Sequence, residues 1–119
     1  MENTKIIYLS GKITGNKNYK EEFQTAEDFL ESFGHIVLNP ARLDEIVEGL
    51  TYEQYMSICY RLIDVSDVIF MVGGWKKSKG ANAELSYARS LGKKVMYQDY
   101  FRPFRKENKE NENSQESDL

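Results

Sequence analysis

Residues 68–72, VIFMV, form an unbroken apolar run closed by Asp67 on one side and by Gly73 and Gly74 on the other. Successive side chains of a strand point to opposite faces, so a run without polar alternation needs cover on both sides. That condition excludes a sheet with one wet face. It predicts a central parallel strand with helices packed above and below it. Two further segments fit the same frame. KIIYLSG (5–11) is a short apolar run ending in Ser-Gly, and HIVLNP (35–40) is closed by Pro40. Between them, YKEEFQTAEDFLESFG (19–34) brings Tyr19, Phe23, Ala26, Phe29, Leu30 and Phe33 back at spacings of three and four, which makes one apolar helix face. Asn18 reads as its N-cap and Gly34 as its C-terminal stop. A strand–helix–strand unit of this kind gives parallel strands.

The second half repeats the logic. TYEQ (51–54) matches a capping box, with Thr51 at the N-cap and Gln54 three residues on. The helix it opens carries Tyr55, Ile58, Cys59, Leu62 and Ile63 on one face. GANAELSYARSLG (80–92) reads as a third helix ended by Gly92, and KKVMYQ (93–98) as a fourth strand. ARLDEIVEGL (41–50) carries no periodicity beyond a short helical turn. The predicted fold class is α/β: one Rossmann-like (flavodoxin-like) domain with a mostly parallel sheet of four or five strands and helices on both faces. The domain is expected over 1–104. Residues 105–119 contain no aliphatic side chain before Leu119 and are expected to form a disordered acidic tail.

Charge and composition narrow the function classes. The net charge of −3 and pI near 5.2 argue against duplex nucleic acid as a partner. They leave room for a small phosphorylated ligand, which needs only local donors. Cys59 is the single cysteine, so no internal disulfide is expected, and with the single His35 it makes no zinc site. No metal and no cofactor are expected. No apolar run approaches the ~18 residues of a membrane span. MENTKIIYLSG enters a strand directly without a secretory pattern. A cytoplasmic protein without a membrane partner is the expectation.

Ligands of open parallel sheets bind outside the carboxyl ends of the strands, where strand order reverses. Two Gly-rich, basic loops leave strand ends here: SGKITGNKN after the first strand and GGWKKSKG after the third. The binding candidates in them are Ser10, Gly11 and Lys12, then Gly73, Gly74, Trp75, Ser78 and Gly80. A Ser and a Gly ahead of a helix N-terminus make a cradle for phosphate or carboxylate. Trp75 covers a ligand, a partner chain or the sheet edge. Glu84 is expected in the first turn of the third helix, held ionised by free backbone N–H groups and the helix dipole. There it acts as a nucleophile on an anomeric carbon, as an electrostatic stabiliser, or simply as a favourable first-turn acid. Tyr8 either orients that carboxylate or packs in the core. Cys59, on the apolar helix stripe, reads as a buried small hydrophobe.

IYLSG (7–11), NYKEEFQTAEDFLESFGHIVLNP (18–40), LIDVSDVIFMV (62–72) and SKGANAELSYARSLGKKVMY (78–97) together resemble the nucleoside 2-deoxyribosyltransferase-like superfamily. The likeness is to a compact subgroup found in phages and bacteria and marked by GW..SKGA..E. The resemblance implies an N-glycosidic bond hydrolase or deoxyribosyltransferase acting on a nucleoside or nucleoside 5′-monophosphate. It assigns Glu84 as nucleophile, Tyr8 as the group that orients it, Ser78 as the phosphate-binding serine and Asp67 as the acid opening the third strand. It also implies a homodimer or larger homo-oligomer. One position departs from the pattern. Cys59 stands where that superfamily has an aspartate on the helix before the third strand, with Asp64 and Glu53 as nearby substitutes. A second reading is therefore a non-catalytic protein that senses or sequesters a cyclic or ADP-ribose-type nucleotide. A third is a partner-binding domain with a vestigial pocket.

Overall fold

The computed structural model describes residues 3–104, and the expected tail, 105–119, lies outside them. Four strands form a fully parallel sheet: β1 (Ile6–Ser10), β2 (Ile36–Leu38), β3 (Val68–Met71) and β4 (Lys94–Tyr97). Their order is β2-β1-β3-β4. The chain therefore moves outward from β1 in one direction to β2 and in the other to β3 and β4. Strand order reverses between β1 and β3, and a crevice opens beyond their carboxyl ends. The α/β architecture expected from the sequence is the one observed.

Side-chain alternation divides the core. Ile7, Leu9, Val68, Phe70 and Val72 meet Phe23, Ala26 and Leu30 of α1 (Tyr19–Glu31) on one face. Tyr8, Ile69 and Met71 face Cys59 and Ile63 of α2 (Tyr52–Asp64) and Ala81, Leu85 and Ala88 of α3 (Lys79–Ser90). The VIFMV run is buried on both faces, as its lack of alternation requires.

The ends of the elements depart from expectation in informative ways. Regular α1 ends at Glu31, and Gly34 (φ 88°) closes it as read: its N–H donates to the Glu31 carbonyl at 2.9 Å and the His35 N–H to the Leu30 carbonyl at 3.4 Å. Phe33 is left 67% exposed, packed on the Phe29 ring. Buried Glu27 occupies the face instead. Asn18 does not cap α1, because its backbone (φ −104°, ψ 18°) is not extended enough for the side chain to reach back. Asn16 orders the loop: its side chain accepts from the Asn18 N–H and donates to the Lys12 carbonyl and to Glu22. The capping box of α2 forms as read, with Thr51 and Gln54 bonded reciprocally. Met56 joins the buried α2 stripe. The ambiguous stretch becomes a 3₁₀ turn, Pro40–Glu45. Arg42 fixes that turn to α1 by donating to both oxygens of Glu27 at 2.9 and 3.0 Å, and Asn39 adds a bond to Glu27 at 2.9 Å. The paired guanidinium holds the Glu27 carboxyl below its usual range.

Gly11 follows β1 where the chain passes close to Val72, just beyond β3, and to Phe23 of α1. A Cβ there would stand 2.9 Å from the Val72 Cβ and 3.1 Å from the Phe23 ring. Gly11→Ala must therefore push β1 away from β3, at an overpacking cost of about 1–3 kcal/mol. The midpoint of urea unfolding is expected to fall accordingly. An unchanged midpoint would show that the strand end yields freely.

Candidate active site

A cleft of about 760 Å³ opens beyond the carboxyl ends of β1 and β3. Its size suits a small organic ligand. The β1–α1 loop supplies Gly11, Lys12 and Thr14, and the start of α3 supplies Lys77, Ser78 and Gly80. The outer wall comes from the 3₁₀ turn and the chain that follows it, with Leu43, Asp44, Val47 and Leu50. Tyr52, Tyr55 and Met56 of α2 complete that side.

Glu84 lies on the cleft wall, itself 5% exposed. Tyr8 Oη donates to its Oε2 at 2.9 Å, and Ser10 Oγ donates to its Oε1 at 2.7 Å. Tyr8 and Ser10 are two apart on one strand, so both side chains point to the α3 face of the sheet. The two hydroxyls fix the plane and position of the carboxylate. The buried Cys59 thiol stands against the same group.

The Glu84 carboxyl is shifted in the direction opposite to that expected. Ser78, not a residue nearer Glu84, caps α3 by accepting from the Ala81 N–H at 3.0 Å. With Lys79 as the first helical residue, Glu84 falls past the first turn and beyond the free N–H groups. Burial then dominates and pushes its carboxyl up to about 7, against the opposing pull of Ser10, Tyr8 and Cys59. Burial also drives the Cys59 thiol up to about 12, and Glu84 adds to the shift, so the thiol stays protonated. Tyr8 is raised by burial first and by Glu84 second, and it remains a donor.

The structure thus brings Tyr8, Gly11, Lys12, Ser78, Gly80 and Glu84 to one cleft, with Ser10 directly behind Glu84. It does not bring Asp67 there. Asp67 sits at the opposite, amino edge of the sheet, where its carboxylate accepts from the Ile6 N–H at 2.9 Å and ties β1 to β3. Gly73 and Gly74 border a separate depression beside Gln98 and Asp99, and the Gly73 N–H donates to Gln98 at 2.6 Å. Trp75 packs on Tyr97, ring centroids 5.8 Å apart, and covers the β4 edge. Asp64 is engaged by Tyr87 and Arg61, and neither it nor Glu53 lines the cleft.

The outer wall was not legible as part of a site. Its position depends on the Arg42–Glu27 pair, formed across 15 residues of sequence. The one available signal was the pairing of Tyr52 and Tyr55, one helical turn apart just after a cap.

A family profile described as "Domain of unknown function (DUF4406)" matches residues 5–97. The chain belongs to this family. The match covers every strand of the DUF4406 domain and the whole Tyr8–Ser10–Glu84 constellation. No curated protein matches the sequence. Among solved structures, a "2-desoxiribosyltransferase from Leishmania mexicana" superposes with a TM-score of 0.60 at 22% identity, over 78% of this chain and 63% of that one. The chain thus spans less than two thirds of that protein, and the likeness is one of fold. Among the described residues, no helix is long and apolar enough to cross a membrane.

The raised carboxyl has a stability signature. In the unfolded chain Glu84 ionises near 4.5, and in the folded protein near 7. Between those values the folded state holds more protons, so stability falls as pH rises, and the loss is complete above about 7. Glu84→Gln removes this dependence. The variant is expected to gain up to ~3 kcal/mol on the wild type at pH 8 and nothing comparable at pH 4. Denaturant unfolding at both pH values reads the difference, and an equal effect at the two would refute a buried, proton-sensitive carboxylate.

Proposed function

We propose that this DUF4406 domain binds a nucleoside or nucleoside 5′-monophosphate and cleaves or transfers its N-glycosidic bond, with Glu84 as nucleophile. The observation that carries the reading is the Glu84 carboxylate, fixed by Tyr8 and Ser10 on the wall of an otherwise largely apolar cleft. In the proposed reaction one Glu84 oxygen forms a bond to the anomeric carbon. The carbon–nitrogen bond breaks and its electron pair leaves with the base, which takes a proton from solvent. Water or a second base then attacks the glycosyl ester and restores the carboxylate. The Tyr8 and Ser10 hydroxyls hold the carboxylate in one orientation, so little freedom is lost on reaching the transition state. Lys77, Ser78, Lys79 and the free N–H groups at the start of α3 suit a 5′-phosphate. The deoxyribosyltransferase-like fold supports the same assignment. Exposed apolar side chains on the cleft wall, Val47 and Tyr52, with exposed Ile46 next in sequence, support a homo-oligomer in which a second subunit covers them.

Cys59 favours a second reading, a nucleotide-binding protein without turnover. A thiol held protonated to about 12 does not move a proton near neutrality. Cyclic and ADP-ribose-type nucleotides belong among the ligands of that reading.

Incubation with a panel of nucleosides, 5′-monophosphates and cyclic or ADP-ribose nucleotides, read by chromatography, separates the two. Release of free base that Glu84→Gln abolishes, with ligand affinity retained, is the expected result. Ligand bound and recovered whole from the wild-type protein would replace the enzymatic reading with the binding one.

The attacking group must be ionised, so turnover is expected to rise through about pH 7. Tyr8→Phe removes a hydrogen bond that favours the charged form, and the rising limb should move to higher pH. A limb that stays in place would remove Tyr8 from this role.

A further inference from the structure

We propose that Asp44 sets the base specificity of this cleft by accepting a hydrogen bond from an exocyclic amine on the ligand's base. The inference rests on the nucleotide reading of the site and goes on to say which bases the site takes. The carboxylates on the cleft wall are Glu84 and Asp44. Glu84 is occupied by Tyr8 and Ser10. Asp44 lies on the 3₁₀ turn that Arg42 and Asn39 lock to Glu27, so its backbone is fixed independently of any ligand. Tyr19 Oη donates to its Oδ2 at 2.6 Å. That bond pushes the Tyr19 hydroxyl up to about 12, which keeps it a donor. Lys20 lies 3.7 Å from the same oxygen in a solvent-exposed pair, which holds the side chain only weakly. Oδ1 has no protein hydrogen bond among the described residues.

Asp44 is exposed on the cleft wall, and its neighbours there set what a ligand group reaching it would rest on. Leu43, Val47 and Leu50 on the same wall, with Tyr52 and Tyr55 beside them, offer apolar and aromatic surface for the face of a base. The cations and free N–H groups of the cleft come from other elements than the 3₁₀ turn, Lys12 from the β1–α1 loop and Lys77 to Gly80 from the start of α3. A phosphate is drawn to the start of α3 and repelled from Asp44. The sugar then spans the interval and the base lies along the apolar wall. A carboxylate there accepts from an amine such as adenine N6 or cytosine N4 and opposes a bare ring acceptor.

The test is calorimetric, on the full chain carrying Glu84→Gln so that no ligand is consumed. The probes are adenosine 5′-monophosphate and cytidine 5′-monophosphate, in ribo and deoxy forms. Each is paired with the analogue that differs only in lacking the exocyclic amine. With Asp44 present, the amine-bearing partner is expected to bind about tenfold more tightly, the scale of one hydrogen bond to a charged acceptor. Asp44→Asn keeps an acceptor for Tyr19 and is expected to bring the two partners to within about twofold. Equal affinities with Asp44 present would overturn the assignment while leaving the cleft a nucleotide site. A preference that survives in Asp44→Asn would likewise overturn it. Failure of every probe to bind would sink the nucleotide reading itself, and the base assignment with it.

Discussion

The burial of one carboxylate between a strand and a helix organises the rest of this molecule. Glu84 comes from α3, and its partners Tyr8 and Ser10 come from β1. A buried acid needs a hydrogen-bond partner for each oxygen, or it becomes a fault in the core. Meeting that need fixes the rotation of α3 about its axis and its height along β1. The strand order then places the trio beneath the crevice, since β1 and β3 are the strands at which the order reverses. Core packing and site geometry are satisfied by the same two hydroxyls.

A different pair does the corresponding work on the outer side. Arg42 reaches back from the 3₁₀ turn to Glu27 of α1, and the Tyr55 hydroxyl approaches the Pro40 carbonyl at 3.4 Å. A segment rich in exposed residues is thereby given a defined position over the sheet end. The two anchors divide the cleft. One holds the reactive acid on the sheet side, and the other holds the wall that faces it.

Much of this was written in local sequence. The VIFMV run and the Thr51–Gln54 capping box each fix a structure through neighbours within a few residues, so they could be read directly. Tyr8 and Glu84 emerged as a pair only through the resemblance, because a tyrosine in a buried strand reads equally as core. The surprises share a physical origin in position along an element and in long-range contact. Whether Ser78 or a later residue caps α3 decides if Glu84 meets the dipole or the core, and the sequence GGWKKSKGANAE allows several starts. Asp67 flanks β3 as expected, but its chemistry depends on which edge of the sheet it occupies. The outer wall depends on a pairing between Arg42 and Glu27 that no periodicity encodes.

The position of Asp67 at the amino edge, far from the cleft, carries a consequence for how such a domain diversifies. Its bond to the Ile6 N–H closes the seam between the two central strands at the end where no ligand enters. The sheet therefore has one fastening at the pole away from the cleft, besides the Glu84 hydrogen bonds that serve fold and site together. Loop positions at the carboxyl pole that take no part in those bonds can exchange side chains, length and charge while this fastening stays closed. Descendants of one such scaffold can drift apart in what they hold while remaining superposable in how they stand.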